Sequence, residues 1–139
     1  MAAETNDKQI MEQYLEQLCG AETVLLVDDE DLLRTVVSDL LTQLGYHVLP
    51  AASAQEALTL ADEQKAIDLV VTDVVMPGMS GPELVKKLQE SRTEVKALFI
   101  SGYTAGKFAD FEVGPAPVLL QKPFTIKMLA GKIRELLDT

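Results

Sequence analysis

The sequence is short of the residues that make covalent cross-links or soft-metal sites. Cys19 is the one cysteine in 139 residues, so it can close no internal disulfide and cannot build a thiolate metal site alone. His47 is the one histidine, with no second imidazole to relay a phosphoryl group or complete a metal site. Bases are scarce too. Twelve Lys and Arg stand against 22 Asp and Glu, and the resulting formal charge of −10 repels a nucleic-acid backbone, which argues against direct nucleic-acid binding. No apolar run approaches the roughly 20 residues of a membrane helix. The N-terminus also lacks the basic-then-apolar pattern of a secretory signal. The expectation is a chain with no membrane segment and a cytoplasmic location.

What the sequence does contain is an ordered alternation of two periodicities. Short apolar runs at residues 24–27, 46–49, 68–72, 97–100 and 118–120 predict five strands, the second ending at Leu49 and Pro50. A stripe of Leu33, Val36, Val37, Leu40, Leu41 and Leu44 predicts the first intervening helix, and stretches near residues 54–64, 82–91, 104–114 and 125–137 predict the others. Ser53 with Glu56 and Ser80 with Glu83 fit the capping box that starts a helix. Segment 104–114 is weak, with Gly106 in its interior and Phe108, Phe111 and Val113 its apolar anchors before Gly114, Pro115 and Pro117; a short or mobile fourth helix is expected there. Near-continuous apolar strands separated by helices imply an α/β fold, a doubly wound five-stranded parallel sheet with helices on both faces. Residues 1–20 precede the repeat. Asn6 with Gln9 can cap a helix with the stripe Ile10, Met11, Tyr14, Leu15 and Leu18, either packed on its own domain or partly frayed, or forming the arm of a homodimer.

In doubly wound sheets ligands bind beyond the carboxyl ends of the strands. Here strand one ends in Asp28 and Asp29, strand three in Asp73, strand four in Ser101 and strand five in Lys122. Three crowded carboxylates repel one another unless a cation intervenes. Oxygen ligands alone suit a hard ion such as Mg²⁺, with Mn²⁺ as substitute, and with Lys122 the charges then balance. Such a site leaves one carboxylate free to accept a phosphoryl group whose oxygens the cation, Lys122 and the Ser101 hydroxyl stabilise. The competing local explanation is that the acids at 28–31 merely serve the N-terminus of the next helix. It accounts for any one of them, but not for five polar residues at four strand ends.

The motifs VLLVDDED, VVTDVVMPGMSG, FISGYT and LLQKPF, in this order and spacing, resemble the receiver domains of two-component response regulators over residues 22–137. The resemblance implies the flavodoxin-like strand order 2-1-3-4-5, with residues 21–139 as the receiver domain and 1–20 as a helical extension or linker. It makes Asp73 the phosphoacceptor, Asp29 a direct Mg²⁺ ligand, Asp28 a ligand largely through water, and the Val75 carbonyl a further ligand. Ser101, Lys122 and the backbone amides of Val74 and Gly102 would hold the phosphoryl oxygens, and the Lys122–Pro123 bond would be cis. The implied partner is the phosphohistidine of a sensor histidine kinase or a phosphotransfer domain. The chain would not turn over a substrate, but would catalyse its own aspartyl phosphorylation and dephosphorylation. The combination of motifs is especially similar to receivers fused to hybrid sensor kinases, and no DNA-binding output domain is expected after the last helix. One departure is Leu119, where many receivers carry an aromatic switch; the signal is expected to leave through Ser101, residues 102–114 and Tyr103 instead.

Three other readings compete. A phosphohydrolase resembling the haloacid dehalogenases also combines a strand-one Asp, a hydroxyl and a Lys around Mg²⁺, and Asp29 with Asp31 forms its DxD. However, Leu32 and Leu33 are expected to begin a buried stripe where that family differs, and no cap domain is evident. A receiver-shaped interaction module that is never phosphorylated would ordinarily lack some of the acidic pocket. A dinucleotide site is disfavoured because strand one leads into acids and not GxGxxG.

Overall fold

The computed structural model describes residues 13, 16–64, 66–102 and 118–139. It contains strands β1 (Thr23–Val27), β2 (His47–Ala51), β3 (Leu69–Asp73), β4 (Lys96–Ser101) and β5 (Val118–Gln121). Helices α1 (Asp31–Gln43), α2 (Ala54–Glu63), α3 (Gly81–Ser91) and α4 (Ile126–Leu137) lie between and after them. The strands are all parallel, in the order β2-β1-β3-β4-β5, as expected.

Strand alternation divides the core in two. Leu25, Val27, Val70 and Phe99 face Ala54, Ala57 and Ala61 of α2 and Leu84, Val85 and Leu88 of α3. Val24, Leu26, Leu69, Val71, Leu98 and Ile100 face Val37 and Leu41 of α1 and Leu129 and Ile133 of α4. Each fully buried leucine or valine contributes about 1.5–3 kcal/mol. Both faces of the central strands are therefore dry, and the polar residues they carry gather at the strand ends.

Three of the four described helices, α2, α3 and α4, start on a side-chain cap. Ser53 accepts from the Glu56 amide at 3.1 Å and Ser80 from the Glu83 amide at 3.3 Å. Thr125 caps α4 in the same way, accepting from the Met128 amide at 3.1 Å. The sequence did not flag it, because Thr-Ile-Lys-Met has no Glu or Gln at the third helical position.

Two expectations need correction. Strand two is shifted and continues through Pro50 to Ala51, while Tyr46 is buried just ahead of it. Proline is tolerated because β2 is an edge strand, whose outer side needs no donor. Leu32 does not begin a buried stripe: it is 79% exposed, and Val36 is 45% exposed. The buried face of α1 is narrower, with Val37 and Leu41 buried and Leu33, Leu40 and Leu44 partly so. Exposed Leu32 therefore does not distinguish this chain from the haloacid dehalogenases. His47 is exposed on the edge strand.

The expected fourth helix at 104–114 lies outside the described residues, as does most of the expected N-terminal helix. Residues 13 and 16–18 are helical, and Leu18 is buried with its carbonyl accepting from the Tyr46 hydroxyl at 3.3 Å. No helix among the described residues is long and apolar enough to cross a membrane.

Candidate functional site

The β1–α1 turn presents two carboxylates. The Asp28 amide continues the sheet ladder by donating to the Ala51 carbonyl at 3.1 Å. The Asp28 Oδ1 then accepts from the Glu30 amide at 2.8 Å, which closes the turn and leaves Asp29 exposed beside a buried Asp28. Arg34, one turn along α1, donates Nη1 to the Asp28 carbonyl at 2.8 Å and Nη2 to Asp31 Oδ1 at 2.7 Å. The turn is thus pinned from its own helix.

Asp73 is the last residue of β3 and is 8% exposed. Past it, the Val74 amide donates to the Ile100 carbonyl and the Gly81 amide to the Val74 carbonyl, each at 2.9 Å. Gly81 is obligatory there: a Cβ would lie 2.1 Å from the Asp73 carbonyl oxygen. Ser101 ends the neighbouring strand and is buried, with Gly102 exposed after it. The Lys122 amide donates to the Ser101 carbonyl at 2.8 Å, and the Lys122–Pro123 bond is cis.

These backbones bring the charges together. Carboxylate oxygens of Asp28, Asp29 and Asp73 lie within 4.8 Å of one another. Lys122 Nζ is 3.2 Å from Asp73 Oδ2, 3.8 Å from Asp28 Oδ2 and 3.0 Å from Glu30 Oε1. Burial pushes the Asp73 carboxyl above the ordinary aspartate value, although the Lys122 charge and hydrogen bond pull the other way. Burial likewise raises Asp28 against the Glu30 amide and Lys122. For Lys122 burial acts downward, but its bond to Glu30 and the charges of Asp73 and Asp28 outweigh it and leave the ammonium above its usual value.

A hard divalent cation fits this arrangement. Its donors are oxygens, their spacing suits one ion, and two of the carboxylates are buried at a cost that a nearby positive charge relieves. Asp28, Asp29 and Asp73 would hold it.

Of the residues singled out in the sequence, Asp28, Asp29, Asp73 and Lys122 converge directly, and Ser101 and Gly102 lie at the adjoining strand end. Val74 is buried and Val75 is 41% exposed just past Asp73. Leu119 is half-buried in β5 beside Phe99 of β4. Tyr103 lies outside the described residues. Sequence reasoning missed the contributions of Glu30, Arg34 and Gly81. Glu30 and Arg34 had a visible signal, an acid and a base flanking the strand-one acids, but what they contact depends on the three-dimensional turn.

The family model of the response regulator receiver domain matches residues 24–134. Among curated proteins, the sensor kinase CckA of Brucella abortus (strain 2308) is 42% identical over 127 residues, covering 87% of this chain and 13% of the kinase. This chain thus spans a small part of that relative's length. The solved receiver domain of the hybrid histidine kinase CckA superposes with a TM-score of 0.70 at 40% identity, covering 83% of this chain and 98% of that one. The response regulator TrrA of Thermotoga maritima, solved in complex with Mg²⁺–BeF, gives a TM-score of 0.73 at 28% identity over 84% of this chain and 99% of that one.

Proposed function

We propose that this chain, which belongs to the response regulator receiver domain family, is a two-component phosphoacceptor that takes a phosphoryl group onto Asp73. The observation that carries the reading is the convergence of three carboxylates within 4.8 Å, with Lys122 Nζ 3.2 Å from Asp73, at the carboxyl edge of the parallel sheet. An Asp73 oxygen attacks the phosphorus of a phosphohistidine on a sensor kinase or phosphotransfer domain. The N–P bond breaks and the imidazole regains a proton. Lys122 and the Ser101 hydroxyl, with the amides of Val74 and Gly102, take the phosphoryl oxygens.

Asp28, Asp29, Asp73 and the Val75 carbonyl would hold Mg²⁺ or Mn²⁺, which when bound would supply the positive charge that lets a carboxylate meet an anionic phosphoryl group. The Mg²⁺ in the TrrA complex supports this. The reaction is a single self-modification and its reversal, without turnover of a substrate. The similarity to CckA supports a receiver fused to, or served by, a hybrid kinase in the cytoplasm. Residues 21–139 form this domain, with 1–20 as an extension or linker, and Ser101, Tyr103 and Leu119 are the candidates for passing the signal on.

The test is mass determination after treatment with acetyl phosphate and MgCl₂. One added phosphoryl group is expected in the parent and none in Asp73→Asn. Equal labelling of the two overturns the assignment.

A further inference from the structure

Glu30 occupies the N-cap position of α1, yet its side chain makes no cap hydrogen bond. An N-cap side chain ordinarily satisfies an orphan amide of the first turn. This one instead reaches Lys122, 92 residues away in sequence, at 3.0 Å, the shortest of the three carboxylate contacts that the ammonium makes. Glu30 itself is well exposed, with 61% of its side-chain area open to solvent, whereas Asp28 and Asp73 are buried. Lys122 is therefore suspended between the interior of the acidic site and a carboxylate at its mouth.

We propose that Glu30 is a positioning residue that holds the Lys122 ammonium at the mouth of the site until phosphoryl oxygens replace it. The inference rests on Asp73 being the phosphoacceptor. In the reaction with acetyl phosphate the Asp73 oxygen forms its bond to phosphorus, the bond from phosphorus to the acetyl oxygen breaks, and acetate leaves with the electron pair. The new phosphoryl group brings negative oxygens to the space beside Lys122, and they compete with the solvated Glu30 carboxylate for the same protons. Glu30 opposes phosphorylation in two ways: it occupies the lysine, and it adds a negative charge where an anionic donor must enter.

An exposed ion pair of this kind contributes up to about 1 kcal/mol, so loss of the contact should accelerate phosphorylation by roughly two- to fivefold. The experiment measures the apparent second-order rate constant with acetyl phosphate at fixed MgCl₂ for the parent, Glu30→Gln and Glu30→Asp. The aspartate keeps the charge but is one methylene too short to hold the ammonium. Acceleration in both variants supports positioning. Parent-like behaviour of Glu30→Asp with a fast Glu30→Gln reduces the effect to a general field, and parent-like rates in both remove it; either outcome overturns the proposal.

A second readout needs no phosphoryl donor. In metal-free protein the side-chain ammonium resonance of Lys122, assigned by its loss in Lys122→Met, should shift in both Glu30 variants, and an unshifted resonance would contradict the contact. Labelling of Asp73→Asn would bring down the phosphoacceptor reading itself. Labelling confined to Asp73 with unaffected Glu30 variants would bring down only this inference.

Discussion

The tightest steric constraint on the acidic site comes from a residue with no side chain. At Gly81 a Cβ would meet the Asp73 carbonyl oxygen at 2.1 Å and its carbon at 3.1 Å, both backbone atoms that cannot swing away. Gly81→Ala must push the start of α3 off the end of β3, at about 1–3 kcal/mol by analogy with other overpacked sites. Because Asp73 is the residue displaced, Mg²⁺ binding should weaken as well. Urea unfolding and a Mg²⁺ titration check this, and a variant with parental midpoint and affinity would refute it. The sequence showed Gly81 only as a letter in a motif, since its closeness to Asp73 arises when the helix docks. Asp73, Asp28 and Lys122 were legible because each terminates a strand or directly follows one, so strand boundaries alone place them on one edge. Glu30 was not, because its meaning depends on a lysine contributed by the last strand's end.

Among the elements, type and order could be read from hydrophobic period, while edges and ties between elements could not. Pro50 looked like the end of strand two because proline breaks the ladder of a central strand, whereas an edge strand such as β2 carries it with its missing donor on the outer side. The tie between α4 and the chain before β1 was also invisible. Arg134 donates to Glu22 at 2.8 Å, to the Tyr46 hydroxyl at 3.2 Å and to Asp138 at 2.5 Å, and its guanidinium lies 6.0 Å from the Tyr46 ring centre. Arg134→Met keeps the apolar stem but removes the charged donor that Glu22 and Tyr46 share, leaving Glu22 with the Ala21 amide at 3.1 Å, so for this partly solvent-open pair a loss of about 1 kcal/mol is expected. Its pH dependence has a definite sign. The Arg134 hydrogen bond holds the Glu22 carboxyl below the ordinary glutamate value against opposing burial. The stabilisation is therefore present above that ordinary value and disappears as pH falls through the lowered one. The stability gap between parent and variant, measured by urea unfolding at neutral and at acid pH, should narrow in acid; a constant gap would show that packing and not the ion pair is responsible.

For the molecule as a whole, the acidic site should be a source of instability that a cation removes. The chain already carries a formal charge of −10. Burial raises both Asp28 and Asp73 above the ordinary aspartate value, so over that interval the folded state binds more protons than the unfolded one. Their contribution to stability is thus complete below the unfolded value of 3.8 and is lost as pH rises through the raised folded values. At neutral pH the metal-free protein holds these carboxylates charged at a cost, and an ion that binds only the folded state stabilises by mass action, about 2.7 kcal/mol at a hundredfold excess over its dissociation constant. Three results should follow together in thermal melts at constant ionic strength. MgCl₂ raises the midpoint of the parent at neutral pH, the increment fades as the buffer is acidified, and metal-free Asp73→Asn melts above the metal-free parent while responding less to Mg²⁺. Holding ionic strength constant matters because simple screening of the excess negative charge would raise the midpoint of both proteins equally. An Asp73→Asn protein that melts below the metal-free parent would mean that its ion pair with Lys122 outweighs the burial of its charge.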